Sequence, residues 1–373
     1  MLRFALRFAA YDRPKSIGVI LGIMISTFLV GQQIGIFLFL TGAMSALVDN
    51  TEADIWVVDS RTSDVNALAP IDVRIGPQVE SLEGVAKAYP FVVTAATAKF
   101  AAGKSSPVAL VGAQPPAFRG GPWRIEKGKV ADLVEEGVVS VDYYDREVLN
   151  DADVGTMFEI GGRRVRVGVR TKGVRSFGGQ YVFTTIATAR ALGGIPSTKA
   201  SAFLVDVEDG ADVLAVRDRI NGAIFGVRAW TKRDFSRATV STILGTSGIA
   251  YSIGTLVVFA FIAGMVIIGL TMYSAAVDRL RDYGTLKAIG ANNAYIRNLI
   301  LLQAVAFALV GYGLGVLLIE GFRNGIANTG VIFQYTGAFK IGFFILTVVI
   351  ALGGAVFAMR RIGKVEPASV FRG

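Results

Sequence analysis

The chain has 373 residues, 53% of them hydrophobic, a formal net charge of +9 and no cysteine or histidine. The two absences exclude disulfides, thiol chemistry, imidazole acid–base catalysis and His or Cys metal sites. A mean hydropathy of +0.53, concentrated in a few charge-free blocks, points to a membrane protein.

A helix needs about 20 consecutive apolar residues to cross a bilayer core. Four blocks meet this, over 16–48, 238–277, 298–319 and 341–359. They predict an α-helical membrane protein with four transmembrane helices and a large extracytoplasmic α+β domain inserted between the first and second spans. The expected organisation is 1–48 for an N-terminal amphipathic helix and first span, 49–237 for the extracytoplasmic domain, and 238–373 for three further spans. A cytoplasmic coupling helix is expected around 278–297, ahead of a cytoplasmic tail. The first block is far longer than the roughly 7–15 residues of a signal-peptide core, so it reads as a retained anchor.

The first span carries Gly18, Gly22, Gly31 and Gly35. Small residues four apart let helices approach closely in lipid. Gln32 and Gln33 lie in the same block, and an unpaired amide in hydrocarbon is costly. They read either as an interhelical hydrogen bond or as part of a substrate path. No Asp, Glu, Lys or Arg interrupts the four blocks, which disfavours a proton relay or ion-coupled pathway.

From 49 to about 200 short apolar runs alternate with Gly, Pro, Asp and Asn, as in "ADIWVVDS", "SPVALVGA", "GVVSVDYYD", "MFEIGGRRVRVGVR" and "YVFTTI". These read as strands and hairpins. Arg164, Arg166 and Arg170 fall on one face of their strand and Val165, Val167 and Val169 on the other, which predicts one solvated face or a docking face for an acidic partner or a lipid headgroup. "AKFAAGKS" (98–105) fits a loosened phosphate-loop pattern, but the following "SPVALVGA" reads as a strand rather than the helix such a loop requires. A hairpin turn is expected, and no ATP site in this chain. "GADVLAVRDRINGAIFGVRAW" predicts a helix followed by a strand, and "KRDFSRATVSTILGTSG" a helix running unbroken into the second span.

Between the second and third spans lies "AVDRLRDYGTLKAIGANNAYIRNL" (276–299), with six charges of both signs. Leu280, Tyr283, Leu286 and Ile289 repeat at helical spacing and form an apolar stripe that nothing in the chain is expected to cover. Gly284 and Gly290 would loosen or end the helix. In the third span Gly311 and Gly315 form another small-residue pair.

Short cytoplasmic flanks carry an excess of Lys and Arg. The N-terminal flank holds Arg3, Arg7, Arg13 and Lys15, the 276–299 segment Arg279, Arg281, Lys287 and Arg297, and the C-terminal flank Arg360, Arg361, Lys364 and Arg372. The 320–340 loop has only Arg323 and Lys340. Both termini and the 276–299 segment are therefore expected on the cytoplasmic side of the membrane, with the protein multi-pass. Scattered basic residues without a binding motif give no reason to expect nucleic acid as a partner.

"RLRDYGTLKAIGAN" resembles the cytoplasmic signature of the MacB, LolC, LolE and FtsX permeases, an acidic residue, any residue, then G-x-L-K-A-x-G-A. Its matching positions here are Asp282, Gly284, Leu286, Lys287, Ala288, Gly290 and Ala291, with Asp where the family more often has Glu. The closing "KVEPASVFR" is similar to the family's P-A-x-x-L-R with Phe371 for Leu, and "ALRFAAYDRPKSIGVILGI" resembles its amphipathic leading helix. DevC-like and HrtB-like subgroups are also similar.

The resemblance implies that Arg281, Asp282, Gly284, Leu286, Lys287, Ala288, Gly290 and Ala291 dock on a separate cytoplasmic ABC ATPase. Two ATPase copies would bind ATP and Mg, and two permease copies would form a homodimer, with a periplasmic adaptor as a further partner. The permease chain itself would be neither an enzyme nor a cofactor binder. It would export or extract a lipid, haem, drug or peptide by mechanotransmission, or, in the FtsX-like alternative, activate a cell-wall hydrolase without transport.

Overall fold

The computed structural model describes residues 13–277, 283–286, 289–331 and 337–362. Its helices are α1 (Arg13–Met44), α2 (Ala46–Asp49), α3 (Ile75–Glu80), α4 (Ile186–Gly193), α5 (Val213–Ala223), α6 (Lys232–Ser247), α7 (Ile249–Val277), α8 (Asn293–Gly325) and α9 (Gly337–Ile362). The strands are β1 (Ile55–Asp59), β2 (Ile71–Asp72), β3 (Val85–Lys99), β4 (Ser105–Ala113), β5 (Ile125–Lys127), β6 (Val138–Asp142), β7 (Met157–Ile160), β8 (Arg163–Thr171), β9 (Gln180–Thr185), β10 (Lys199–Ala200), β11 (Ala202–Val207) and β12 (Val227–Thr231). Two compact units result: Met1–Phe39 with Ile249–Ala327 and Phe333–Gly373, and Leu40–Gly248 with Asn328–Ile332.

The first unit is a bundle whose glycines set its contacts. A Cβ at Gly311 would lie 2.5 Å from Ile23, and one at Gly315 2.7 Å from Thr27. Residue numbers therefore rise together on α1 and α8, and these helices run parallel. Gly22 meets Ile267, Gly18 meets Thr271, and Gly264 meets Ser26, so α7 runs antiparallel to α1. Gly31 meets Phe343 and Thr27 faces Thr347 at 3.5 Å, so α9 is antiparallel to α1 as well. The expected small-residue contacts thus fall largely within one chain.

Three helices are long and apolar enough to cross a membrane: Ser16–Met44, Ile249–Ser274 and Asn293–Gly325. The apolar stretch of α9, Lys340–Val356, is shorter. The structure thus supplies three candidate spans among the described residues, where the sequence predicted four.

In the second unit β1 is apolar along "IWVV" because both its faces are covered. Ile55 and Val57 pack with Phe203, Val216 and Ile220, under α3 and α5. Trp56 and Val58 point the other way, against Phe91 and Phe235 of α6. The sheet order is β12-β1-β11-β3, all antiparallel. The fifteen-residue β3 then continues into a second group of strands. Its later half pairs with β4, β4 pairs in parallel with β9, and β7, β8, β6 and β5 complete the layer around Leu110, Val139, Phe158 and Val167.

The expected unbroken helix through 232–277 is corrected. Helix α6 is amphipathic and buries Phe235, Thr239 and Ile243. It ends at Gly248, whose backbone is left-handed at φ 67°, a conformation glycine adopts without a Cβ penalty. The last turn is built of weak helix formers whose hydroxyls bond back along the helix, Thr246 Oγ1 to the Thr242 carbonyl at 2.8 Å and Ser247 Oγ to the Ile243 carbonyl at 2.6 Å. Helix α7 then starts afresh at Ile249.

Candidate functional site

The segment between α7 and α8 is the candidate site. Residues 283–286 form one helical turn, the Ile289 amide donates to the Thr285 carbonyl, and the Ala291 amide donates to the Leu286 carbonyl at 2.9 Å. Gly290 stops the turn at φ 105°. Asn292 then caps α8, its side-chain oxygen accepting from the Tyr295 amide at 2.8 Å. Of the coupling helix expected over 278–297, the described residues thus hold a helical turn at 283–286, a glycine stop at Gly290 and the start of α8, while 278–282 and 287–288 lie outside the described residues.

The apolar stripe is also corrected. Tyr283 is 6% exposed and packs in the bundle core with Ile296, Ile300 and Met272, and Leu286 packs against the same cluster. The chain covers these two residues itself, because α8 carries an inward stripe, from Ile296 to Ile319, spaced three and four apart. Ile289, by contrast, is 76% exposed, and Gly290, Asn292 and Arg297 are exposed beside it in sequence. Of the eight residues assigned to ATPase coupling, Gly284, Leu286, Gly290 and Ala291 are placed by the structure; Arg281, Asp282, Lys287 and Ala288 lie outside the described residues, as does Leu280.

Gln32 and Gln33 are half-buried on α1. Gln303, on α8, is a more enclosed amide that the sequence reading passed over. It is 6% exposed, and its Nε2 has no hydrogen-bond partner among the described residues. Its place on the buried stripe of α8 was the available signal.

In the second unit the phosphate-loop lookalike is a hairpin. Lys99 of β3 pairs with Ser105 of β4, and the Lys104 ammonium donates to the Glu147 carbonyl. No helix follows to present amides to a phosphate. The arginine face of β8 is corrected in part. Arg164 is exposed, but Arg170 is buried and held by Glu126 at 2.8 Å and by Asp153. A buried guanidinium needs such partners, and β5 supplies one of them.

A family model described as the MacB-like periplasmic core domain matches residues 16–223, and one described as the FtsX-like permease C-terminal region matches residues 238–367. The chain belongs to the MacB and FtsX family of ABC transporter permeases. An uncharacterized ABC transporter permease of Mycobacterium tuberculosis is 30% identical to this permease over 126 residues, 33% of this chain and 34% of the relative. The macrolide export ATP-binding/permease protein MacB of Vibrio parahaemolyticus is 24% identical over 329 residues, 83% of this chain and 49% of that protein. This permease thus spans about a third of the first relative's length and about half of the second's. The periplasmic region of MacB from Actinobacillus actinomycetemcomitans superposes with a TM-score of 0.39 at 9% identity, covering 54% of this chain and 98% of that one. Family membership and the apolar helices together make this permease a membrane protein.

Proposed function

We propose that this chain is the permease subunit of an ABC transporter that couples ATP hydrolysis by a separate cytoplasmic ATPase to export or extraction of a hydrophobic or amphiphilic molecule. The observation that carries the proposal is the build of the segment between α7 and α8. Tyr283 and Leu286 root it in the bundle core while Ile289 stands 76% exposed at the glycine stop. An apolar residue beside a rooted turn suits a groove on a partner, and a push on it would be felt in the core cluster that Tyr283 and Leu286 share with α8.

The same reading takes α9 as the fourth span. Its direction in the bundle supports this, since Gly354 meets Ile268 and Ile350 lies 3.4 Å from a Cβ at Gly264, so α9 runs parallel to α7. A chain with α1 and α8 in one direction and α7 and α9 in the other fits both termini on the cytoplasmic side of a bacterial plasma membrane. Two copies of the chain with two ATPases would then form the working unit, with ATP and Mg held by the ATPases.

The test is affinity purification of the full chain from its native membrane, with mass spectrometry of bound proteins and small molecules. A co-purifying ABC ATPase with a lipid, porphyrin or adaptor is the expected result. An ATPase accompanied by a cell-wall hydrolase and no cargo would replace transport with mechanical signalling.

A further inference from the structure

The loop joining α8 to α9 holds an unexpected position. Its residues Asn328–Ile332 group with the β-rich unit rather than with the helices on either side. Gly330 is buried, with φ 77°, while Thr329 beside it is exposed. A Cβ at Gly330 would lie 2.7 Å from the Tyr144 Cβ and 2.9 Å from the Arg175 Cζ and Nη1. The loop backbone therefore rests directly on the Arg175 guanidinium and the root of the Tyr144 ring, a fit and a backbone geometry open only to glycine.

The surface beneath is fixed from within. Arg175 Nη2 donates to Asp142 Oδ1 at 2.8 Å, and Nη1 to Asp145 Oδ1 at 3.1 Å. Asp142 also accepts from the Val174 amide and the Thr171 hydroxyl at 2.9 Å each, and from the Tyr144 amide at 3.0 Å. The guanidinium lies over the Tyr144 ring at 5.5 Å. A planar cation locked by two carboxylates and one aromatic face is a rigid seat, because its geometry is set before anything lands on it.

We propose that Arg175 and Tyr144 form a clamp that holds the backbone of the α8–α9 loop at Gly330. The clamp itself stands on the geometry alone; its use in passing motion between cytoplasm and outer domain rests on the transporter reading above.

The chain contains no cysteine, so a single Thr329→Cys substitution in the full chain gives a site for a nitroxide label. In lipid vesicles the label should report restricted motion. Adding Gly330→Val, which collides with the Tyr144 Cβ and the Arg175 guanidinium, should raise its mobility several-fold. Arg175→Lys, which keeps a positive charge between the aspartates but removes the planar seat, should do the same in part. A label already mobile in the parent chain, or unmoved by both substitutions, would overturn the clamp. Because this readout needs no ATPase, failure of an ATPase to co-purify would sink the transporter reading and leave the clamp standing.

Discussion

Gly311 of α8 lies so close to Ile23 of α1 that a Cβ at 311 would stand 2.5 Å from the isoleucine Cγ2 and 3.3 Å from the Ile20 carbonyl oxygen. One turn on, Gly315 is equally tight against Thr27. Gly311→Leu should therefore destabilise the bundle by about 1–3 kcal/mol, the usual cost of overpacking, and Gly315→Val by a similar amount. Gly313, with open space around it, is the control, and Gly313→Ala should leave the thermal midpoint in detergent unchanged or slightly raised. Equal effects at 311 and 313 would refute the packing register.

At the segment between α7 and α8, Ile289→Asp should abolish co-purification of an ATPase while the chain keeps its thermal midpoint, since the side chain is 76% exposed. Leu286→Asp should destabilise the chain by about 2 kcal/mol or more and lower its thermal midpoint, because it puts a charge against the core cluster. Retention of the ATPase by the Ile289 variant would remove this residue from the docking surface.

Gln303→Leu should leave the bundle as stable or raise its stability by about 1 kcal/mol. The substitution removes a buried amide whose Nε2 is unpaired among the described residues, and an unsatisfied buried donor carries its full desolvation cost. Gln32→Leu together with Gln33→Leu should change cargo-stimulated ATP hydrolysis if these half-buried amides line the path. A loss of stability at Gln303, with hydrolysis untouched, would show that the amide is paired in the membrane.

Asp145 is raised from 3.8 to about 6, first because burial disfavours its charge and further by nearby Asp142, with Arg175 opposing. Between about pH 4 and 6 the folded state then holds this proton more tightly than the unfolded chain. The contribution of Asp145 to stability falls as pH rises through that window, by roughly 3 kcal/mol, and is level above it. Asp145→Asn should remove that slope from the pH-stability curve of the full chain in detergent. An unchanged slope would mean that Asp145 stays ionised throughout.

Strong periodic signals were legible from residues alone. The apolar run of β1, the β7–β8 hairpin around Gly161 and Gly162, and the α5–β12 pair all stand where their patterns put them. The long β3 was not, since "VAKAYPFVVTAATAK" is rich in alanine and shows no clean alternation. Arg170 alternates correctly with its valines, yet the carboxylates that bury it come from 44 and 17 positions upstream. At the candidate site, spacing located Tyr283, Leu286 and Ile289 on a helical turn but gave no means of telling which of them α8 would cover. That distinction depends on packing between segments, as does the burial of Gly330.

The fifteen residues of β3 belong to both strand groups, pairing first with β11 and then with β4. Hydrogen bonds on successive stretches of one strand are loaded together when it is pulled along its length, whereas a ladder at a free end opens one bond at a time. A pull along β3 is consequently met in shear by both strand groups at once.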